Sequence, residues 1–412
     1  MTQTTVPESG DLVADRYRLE GIAGEGGFAI AYKALDVETG EQVVVKVPNY
    51  DGSSNDPDVI DEYVEKEAEA LERIRAVGGH PNLMALYERD DSDEAPKLVV
   101  EYVDGYELDD AIEETGPLED TEDVRQIGME LCEAMSFLHE NEIVYRDLKP
   151  DNVMITERDG DVTPVLIDFN TATGFDDTGA AADSGTTILG PYKPREVTQA
   201  DTTRARQGPW SDVYSVGKIL LFLLKGTVPK KDGVDPRDFG ADCDPYLGEI
   251  VERATQTDYE DRYPNATVMK QVLAARDPSP PPAARLTSVG SGDAFTVYPG
   301  DTVGRRYAEG PTPSLALEDE GEYVSTVHVQ LDVDDEGGWL VRDRSLNGTY
   351  VRSDGRWQRV LSETGRRRLR ERGEDPTDRR GDVPPTVHPL SDGDLLALVH
   401  PTYGVTLRFE TT

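Results

Sequence analysis

Two periodicities divide the chain. As far as residue 276 apolar positions mix strand-like alternation with helical spacing, whereas beyond residue 292 they recur every second residue. Residues 17–22 and 30–35 read as two strands around a glycine-rich turn, and Val43-Val44-Val45-Lys46-Val47 reads as another strand. Tyr63, Glu67, Ala70, Leu71 and Ile74 stand at helical spacing, which predicts an amphipathic helix over 59–77. Glu67 falls on its inner side, with Glu65 and Glu69 in solvent. A further strand is predicted over 98–103 and a long helix over 121–141, with Ile127, Leu131, Met135 and Leu138 on one face. Residues 210–224 predict a strongly apolar helix.

The second periodicity predicts strands over 295–298, 326–332, 339–341, 349–351, 395–399 and 406–409, with Gly and Asp turns between them. The Pro-rich stretch 277–292 reads as a semi-rigid linker. The expected fold class is therefore α+β. A short extension (1–16) precedes a two-lobed domain (17–276), then the linker, then an all-β sandwich (293–412).

Polar residues interrupt these patterns at telling places. Between two apolar runs, Ile143 to Ile155 reads Ile-Val-Tyr-Arg-Asp-Leu-Lys-Pro-Asp-Asn-Val-Met-Ile, which sets Asp147, Lys149 and Asn152 on one short loop. Asp168 follows at the end of the next apolar run. A base, a cation and two oxygen ligands are what phosphoryl transfer needs, because that chemistry is mostly positioning and charge neutralisation. Gly24-Glu25-Gly26-Gly27 would let backbone amides approach phosphates, although a plain hairpin turn has the same appearance. Lys46 in its valine-rich strand is costly unless paired.

Together these motifs resemble the eukaryotic-like serine/threonine protein kinases, in the order that family has them. The resemblance implies a bilobal fold that uses ATP with Mg2+ (Mn2+ also possible). It gives Lys46 a partner in Glu67, Asp147 the substrate hydroxyl proton, Lys149 the γ-phosphate, and Asn152 and Asp168 the metal. Gly24 and Gly26 would cover the phosphates, while the Glu101 carbonyl and Val103 amide would hold adenine. Asp212 would cap the catalytic loop from below, and Glu196 would pair with Arg262. Arg146 implies an activation segment, 171–196, ordered by phosphate, with Thr186 and Thr187 as candidate phosphosites. Three positions depart from the family: Tyr145 for histidine, Asn170 for a glycine expected at positive φ, and Ala29 for the third loop glycine. Every charge the chemistry needs is present, which favours catalysis over the alternative, a pseudokinase adaptor that only binds nucleotide.

The sandwich carries Gly304-Arg305, Val324-Ser325-Thr326-Val327-His328, Ser345-Leu346-Asn347-Gly348-Thr349 and Leu390-Ser391-Asp392-Gly393-Asp394. This series resembles the forkhead-associated (FHA) domain, a phosphothreonine-binding module. The match gives Arg305 and Ser325 the phosphate, Asn347 the peptide main chain, Thr326 a neighbouring contact and His328 a structural role. Thr326 and Leu346 depart from the commoner residues. The bound partner would be a phosphothreonine peptide or the chain's own phosphorylated segment, and the other partners protein substrates. A basic cluster, Arg366 to Arg372 with Arg379 and Arg380, reads as a solvated helix, or as a dock for an acidic surface or an extension of peptide binding.

Charge sets the surroundings. Asp and Glu number 82 against 42 Lys and Arg, net −40, spread over both domains. That argues against nucleic acid or anionic membrane as partners and resembles the proteins of halophilic microbes. The N-terminus lacks a signal-peptide pattern, the longest apolar run (219–224) cannot span a bilayer, and two separated cysteines fit a reducing, cytoplasmic setting. Molar salt cuts the Debye length to about 3 Å and relieves self-repulsion. The fold is accordingly expected to loosen as KCl is withdrawn, and a circular-dichroism spectrum unchanged across a KCl titration would contradict this.

Overall fold

The computed structural model describes residues 9–92, 96–158, 160–175, 181, 188–200, 206–305, 313–317, 319, 321, 323–377, 381–402 and 405–411. The chain forms two compact units that divide after Ser279.

The first unit opens with strands β1 (Leu12–Val13), β2 (Tyr17–Glu25), β3 (Ala29–Asp36) and β4 (Gln42–Pro48), then helix α1 (Pro57–Ala76), then β5 (Leu86–Asp90) and β6 (Lys97–Glu101). Among the described residues these strands pair in the order β1-β2-β3-β4-β6-β5. Alternation makes the sheet two-faced: Tyr17, Leu19, Tyr32, Val45, Val47 and Val99 pack together in a core. Lys46, between two core valines, points the other way. Helix α1 starts cleanly because Pro57 occupies its first turn and Asp56 accepts from the Asp58 amide.

The lower half begins with β7 (Gly105–Glu107), α2 (Leu108–Thr115), α3 (Thr121–Glu140) and β8 (Ile143–Val144). It continues through β9 (Val153–Arg158), β10 (Asp161–Leu166), β11 (Thr173–Gly174), α4 (Arg195–Thr198), α5 (Pro209–Lys225), α6 (Pro245–Ala254) and α7 (Ala266–Ala275). Helix α5 buries every residue from Ser211 to Leu224, as its largely apolar sequence predicts. Gly128 lets α3 approach it, since a Cβ there would lie 2.8 Å from a Leu220 methyl. The predicted helices emerge with ends shifted by one or two residues. Glu65 stays partly exposed, as expected, and pairs with Arg89 at 2.9 Å.

The second unit holds β12 (Ala284–Ser288), β13 (Ala294–Val297), β14 (Thr302–Arg305), β15 (Leu315–Leu317), β16 (Val329–Val333) and β17 (Trp339–Asp343). After these come β18 (Thr349–Ser353), β19 (Arg356–Val360), α8 (Glu363–Glu371), β20 (Val387–Pro389), β21 (Leu395–Leu398) and β22 (Thr406–Thr411). Among the described residues one sheet runs β13-β12-β22-β21-β18-β19 and the other β15-β14-β16-β17-β20. Leu286, Val303, Val329, Trp339, Val351 and Phe409 share one core. Two expectations need correction. The span read as a linker contains β12, whose Ala284 and Leu286 are buried and which pairs with both β13 and β22. The strand expected from residue 326 starts at Val329, because residues 325–326 fold over β14 instead. There a Cβ on Gly304 would lie 1.9 Å from the Thr326 carbonyl, so only glycine admits that crossing.

The short helix α4 is anchored from below. Arg262 forks onto Glu196, with Nη1 to Oε1 at 2.6 Å and Nη2 to Oε2 at 3.2 Å, and both side chains are buried. Replacing Arg262 with leucine leaves the Glu196 carboxylate alone in the interior, which costs about 3–5 kcal/mol. A matching drop in the urea unfolding free energy of the first unit is the expected result.

Candidate functional site

The cleft of the first unit encloses about 1240 Å³, and its walls include Gly24, Lys46, Val103, Asp147, Asn152 and Asp168. From the sheet, Lys46 Nζ reaches Glu67 Oε1 at 2.5 Å and the Ile167 carbonyl at 3.1 Å. Burial works against the Lys46 charge, but Glu67 and Asp168 outweigh it and hold the ammonium's pKa above its usual value. The expected pairing is made, across a helix that buries Glu67 among Val64, Ala68 and Leu71.

The loop after β8 is shaped by one carboxylate. Asp212, wholly buried on α5, accepts the Tyr145 amide at 3.0 Å and the Arg146 amide at 2.8 Å. Its Oδ2 also lies 2.8 Å from His139 Nε2. This fixes Arg146 in a left-handed conformation (φ 66°) and turns Asp147 into the cleft. The Asn152 amide donates to the Asp147 carbonyl at 2.9 Å, which ties the ends of the loop. Tyr145 is buried edge-on to Phe169, ring centroids 5.3 Å apart, so it fills the apolar place expected of it.

One expectation changes, in the turn after Asp168. Asn170 does not take positive φ. Its backbone and side-chain amides donate to the Asp168 carboxylate at 3.1 and 3.2 Å, a turn that orients the carboxylate. Arg146 is buried, and it donates through Nε to the Thr171 carbonyl at 2.9 Å and through Nη1 to Gln207 Oε1 at 3.2 Å. Thr186 and Thr187 lie outside the described residues.

Asp147 is itself crowded. Burial raises its pKa, the Lys193 ammonium in contact with Oδ1 pulls it back, and Asp168 adds repulsion. Lys149 stands 3.3 Å from Asp151, and despite its own burial Asp147 and Asp151 keep its pKa raised. Above the cleft, Gly26 bonds through its amide to the Ala29 carbonyl at 2.9 Å, closing the glycine turn. A segment not singled out in the sequence braces that turn. Asn49 donates to the Gly26 carbonyl at 2.8 Å, Ser53 and Asn55 donate to the Gly27 carbonyl at 2.6 and 3.0 Å, and Phe28 stacks on Tyr63 at 4.1 Å.

In the second unit two loops converge. The Leu346 amide points to Ser325 Oγ at 3.5 Å, and the Asn347 amide donates to the Tyr323 carbonyl at 3.0 Å. Arg305, at the end of β14, donates through Nε to the Val324 carbonyl at 3.2 Å. Arg305 and Asn347 thus both reach the backbone at residues 323–324, next to Ser325, and Thr326 lies half-buried beside it. His328 is the clasp: Nδ1 accepts from the Ser325 amide at 3.1 Å and Nε2 lies 3.3 Å from the Gly348 carbonyl. Desolvation by burial lowers its pKa to about 4. Asp343, unforeseen in the sequence, accepts from Ser345, Thr349 and the Ser362 amide at 2.8, 2.6 and 2.7 Å.

A family model described as the protein kinase domain matches residues 17–279. The chain belongs to the protein kinase family. A second model, described as the FHA domain, matches residues 302–372. The kinase is similar to the serine/threonine-protein kinase PknB of Mycolicibacterium smegmatis, 29% identical over 326 residues that cover 74% of this chain and 50% of the relative. It is also similar to PknB of Mycobacterium leprae, 30% identical over 293 residues, 66% of this chain and 44% of the relative. A probable serine/threonine-protein kinase of Clostridium acetobutylicum is 28% identical over 279 residues, 64% and 40% of the two chains. The kinase spans half the length of these curated relatives or less.

No described helix of the kinase is long and apolar enough to cross a membrane. Lys46, Glu67, Asp147, Lys149 and Asp168, singled out in the sequence, all line the cleft, whereas Lys193, His139 and the brace at 49–55 were not singled out. A lysine three residues before Glu196 was the available signal.

The neutral clasp has a pH cost. His328 is lowered from 6.5 to about 4 on folding, so its contribution is complete above pH 6.5 and is lost as pH falls toward 4. The loss approaches about 3 kcal/mol for the FHA unit. Urea titrations at pH 7 and 4.5 are expected to show that decline, and His328→Gln to shrink it.

Proposed function

We propose that this chain is an ATP-dependent serine/threonine kinase that transfers the γ-phosphate to protein hydroxyls, and that its FHA unit binds phosphothreonine peptides. The observation that carries the reading is the 2.5 Å contact between Lys46 and Glu67, which delivers an ammonium into the cleft that also holds Asp147 and Asp168. A non-catalytic adaptor would have no need of all these charges at once. Family membership and the likeness to serine/threonine kinases favour the same reading.

Lys46 would hold the nucleotide's phosphates, and the Glu101 carbonyl and Val103 amide its adenine. A Cβ at Gly24 would meet nothing within 4 Å, so the loop there leaves open space above the phosphates. Asp147 would accept the proton of the incoming hydroxyl, and Lys149 would offset charge on the transferred group. Asn152 and Asp168 present an amide and a carboxylate oxygen, a donor set that suits Mg2+, which when bound neutralises the phosphates. In the FHA unit Arg305 and Ser325 would take the phosphate, with Asn347 and Thr326 on the peptide beside it. Its own phosphorylated activation segment is one such peptide; a phosphorylated substrate is another.

Transfer of radiolabel from ATP to a protein acceptor tests the first half, with mass spectrometry locating any autophosphorylation. Asp147→Asn is expected to lose at least about 100-fold in rate. Arg305→Ala should weaken phosphothreonine-peptide binding by about 10- to 100-fold, the worth of a charge-assisted hydrogen bond. Wild-type chain that transfers no label would overturn the enzymatic reading.

A further inference from the structure

Lys193 has no part in the reaction as set out above, yet it makes the closest contact to the catalytic carboxylate. It is only 8% exposed. Its ammonium touches Asp147 Oδ1 and donates to the Leu189 carbonyl at 3.1 Å. A buried ammonium persists only where its charge is matched, and here the match is Asp147. The neighbouring Lys149 has turned to Asp151. The ion pair is made through Oδ1, so Oδ2 is the oxygen left for a ligand.

The surrounding segment is built to present this lysine. The Ile188 amide bonds to the Val197 carbonyl at 3.1 Å and the Lys193 amide to the Gly190 carbonyl at 3.4 Å, closing residues 188–197 into a compact loop. A Cβ on Gly190 would stand 3.1 Å from Lys193 Nζ and 3.6 Å from Cδ, so the missing side chain makes room for the lysine's stem. Three residues on, Glu196 is fixed by Arg262 at 2.6 Å. The loop is thus anchored at its base and fastened to the catalytic loop at its tip.

We propose that Lys193 is a positioning residue for phosphoryl transfer: its ammonium holds Asp147 Oδ1, leaves Oδ2 facing the acceptor hydroxyl, and pins segment 188–197 against the catalytic loop. The proposal rests on the kinase reading above. A hydroxyl-bearing side chain in that position could orient the carboxylate but could not offset charge. Lys193 does both, in a cleft where Asp147, Asp168 and Glu67 already crowd together.

The test compares full-length wild type with Lys193→Met and Lys193→Arg, measuring kcat and KM for ATP with a protein acceptor, and Mg-ATP binding separately. The Met variant is expected to lose about 10- to 100-fold in kcat, the cost of a misplaced reacting group, with KM for ATP and nucleotide binding little changed. Arg, which keeps the charge, is expected to recover a large part of kcat. A Met variant as fast as wild type overturns the proposal. So does a faster one, which would make the lysine a plug, and so does an Arg variant no better than Met, which would make it a filler. Should Met abolish nucleotide binding, Lys193→Gln takes its place under the same criteria. An inactive wild type sinks the kinase reading and this proposal with it, whereas an active wild type indifferent to residue 193 sinks this proposal alone.

Discussion

The catalytic loop depends on one buried carboxylate. Asp212 sits on α5, a helix buried on all sides, and it survives there because the Tyr145 and Arg146 amides and the His139 ring surround it. Two backbone amides aimed at a single side chain are what bend the chain into the loop. The left-handed Arg146 follows, since a non-glycine residue holds φ near 66° only where its surroundings over-determine it. The buried Arg146 side chain then locks that turn to Thr171 and Gln207. Asp147 therefore reaches the cleft through a chain of constraints that starts in the core of α5.

From that loop outward the problem is one of charge. Burial raises the pKa of Glu67 and of Asp147, the nearby Asp168 carboxylate adds repulsion to both, and an acidic chain of net −40 offers little relief. Relief comes from ammonium groups placed one by one: Lys46 against Glu67, Lys149 near Asp151, Lys193 against Asp147. The chain has only 11 lysines in all, so three in one cleft is a deliberate concentration. Such pairs add little net stability, because desolvation offsets the attraction. Their effect is on geometry, since each removes the freedom of a carboxylate that lines the cleft.

The FHA unit solves a different problem with neutral groups. Its loops are joined by a histidine that accepts from one backbone and faces the carbonyl of the other, and burial keeps it uncharged. Asp343 draws Ser345, Thr349 and the Ser362 amide around itself, which shapes the Asn347-Gly348 turn and carries α8 beside it. Gly348 adopts φ 87°, a conformation that a Cβ would resist. Arg305 and Ser325 are thus presented on backbone that these neutral groups already hold in place.

These two solutions explain what could be read from residues and what could not. Charged groups embedded in apolar runs, such as Lys46 and Asp168, announce themselves, because nothing but a partner justifies their burial. Helices with clear periodicity were equally legible, down to a residue or two at their ends. Strand β12 was not, since its prolines, serines and glycines nearby look like linker and only pairing with β13 and β22 makes it a strand. Positive φ was expected at Asn170 because that residue type tolerates it, but its amides bond to the Asp168 carboxylate instead. Nothing in the sequence marked the left-handed turn at Arg146, which Asp212 imposes by capturing that residue's amide. Local preference gives no sign of such a turn; the hydrogen bond that sets it joins residues 66 apart in sequence.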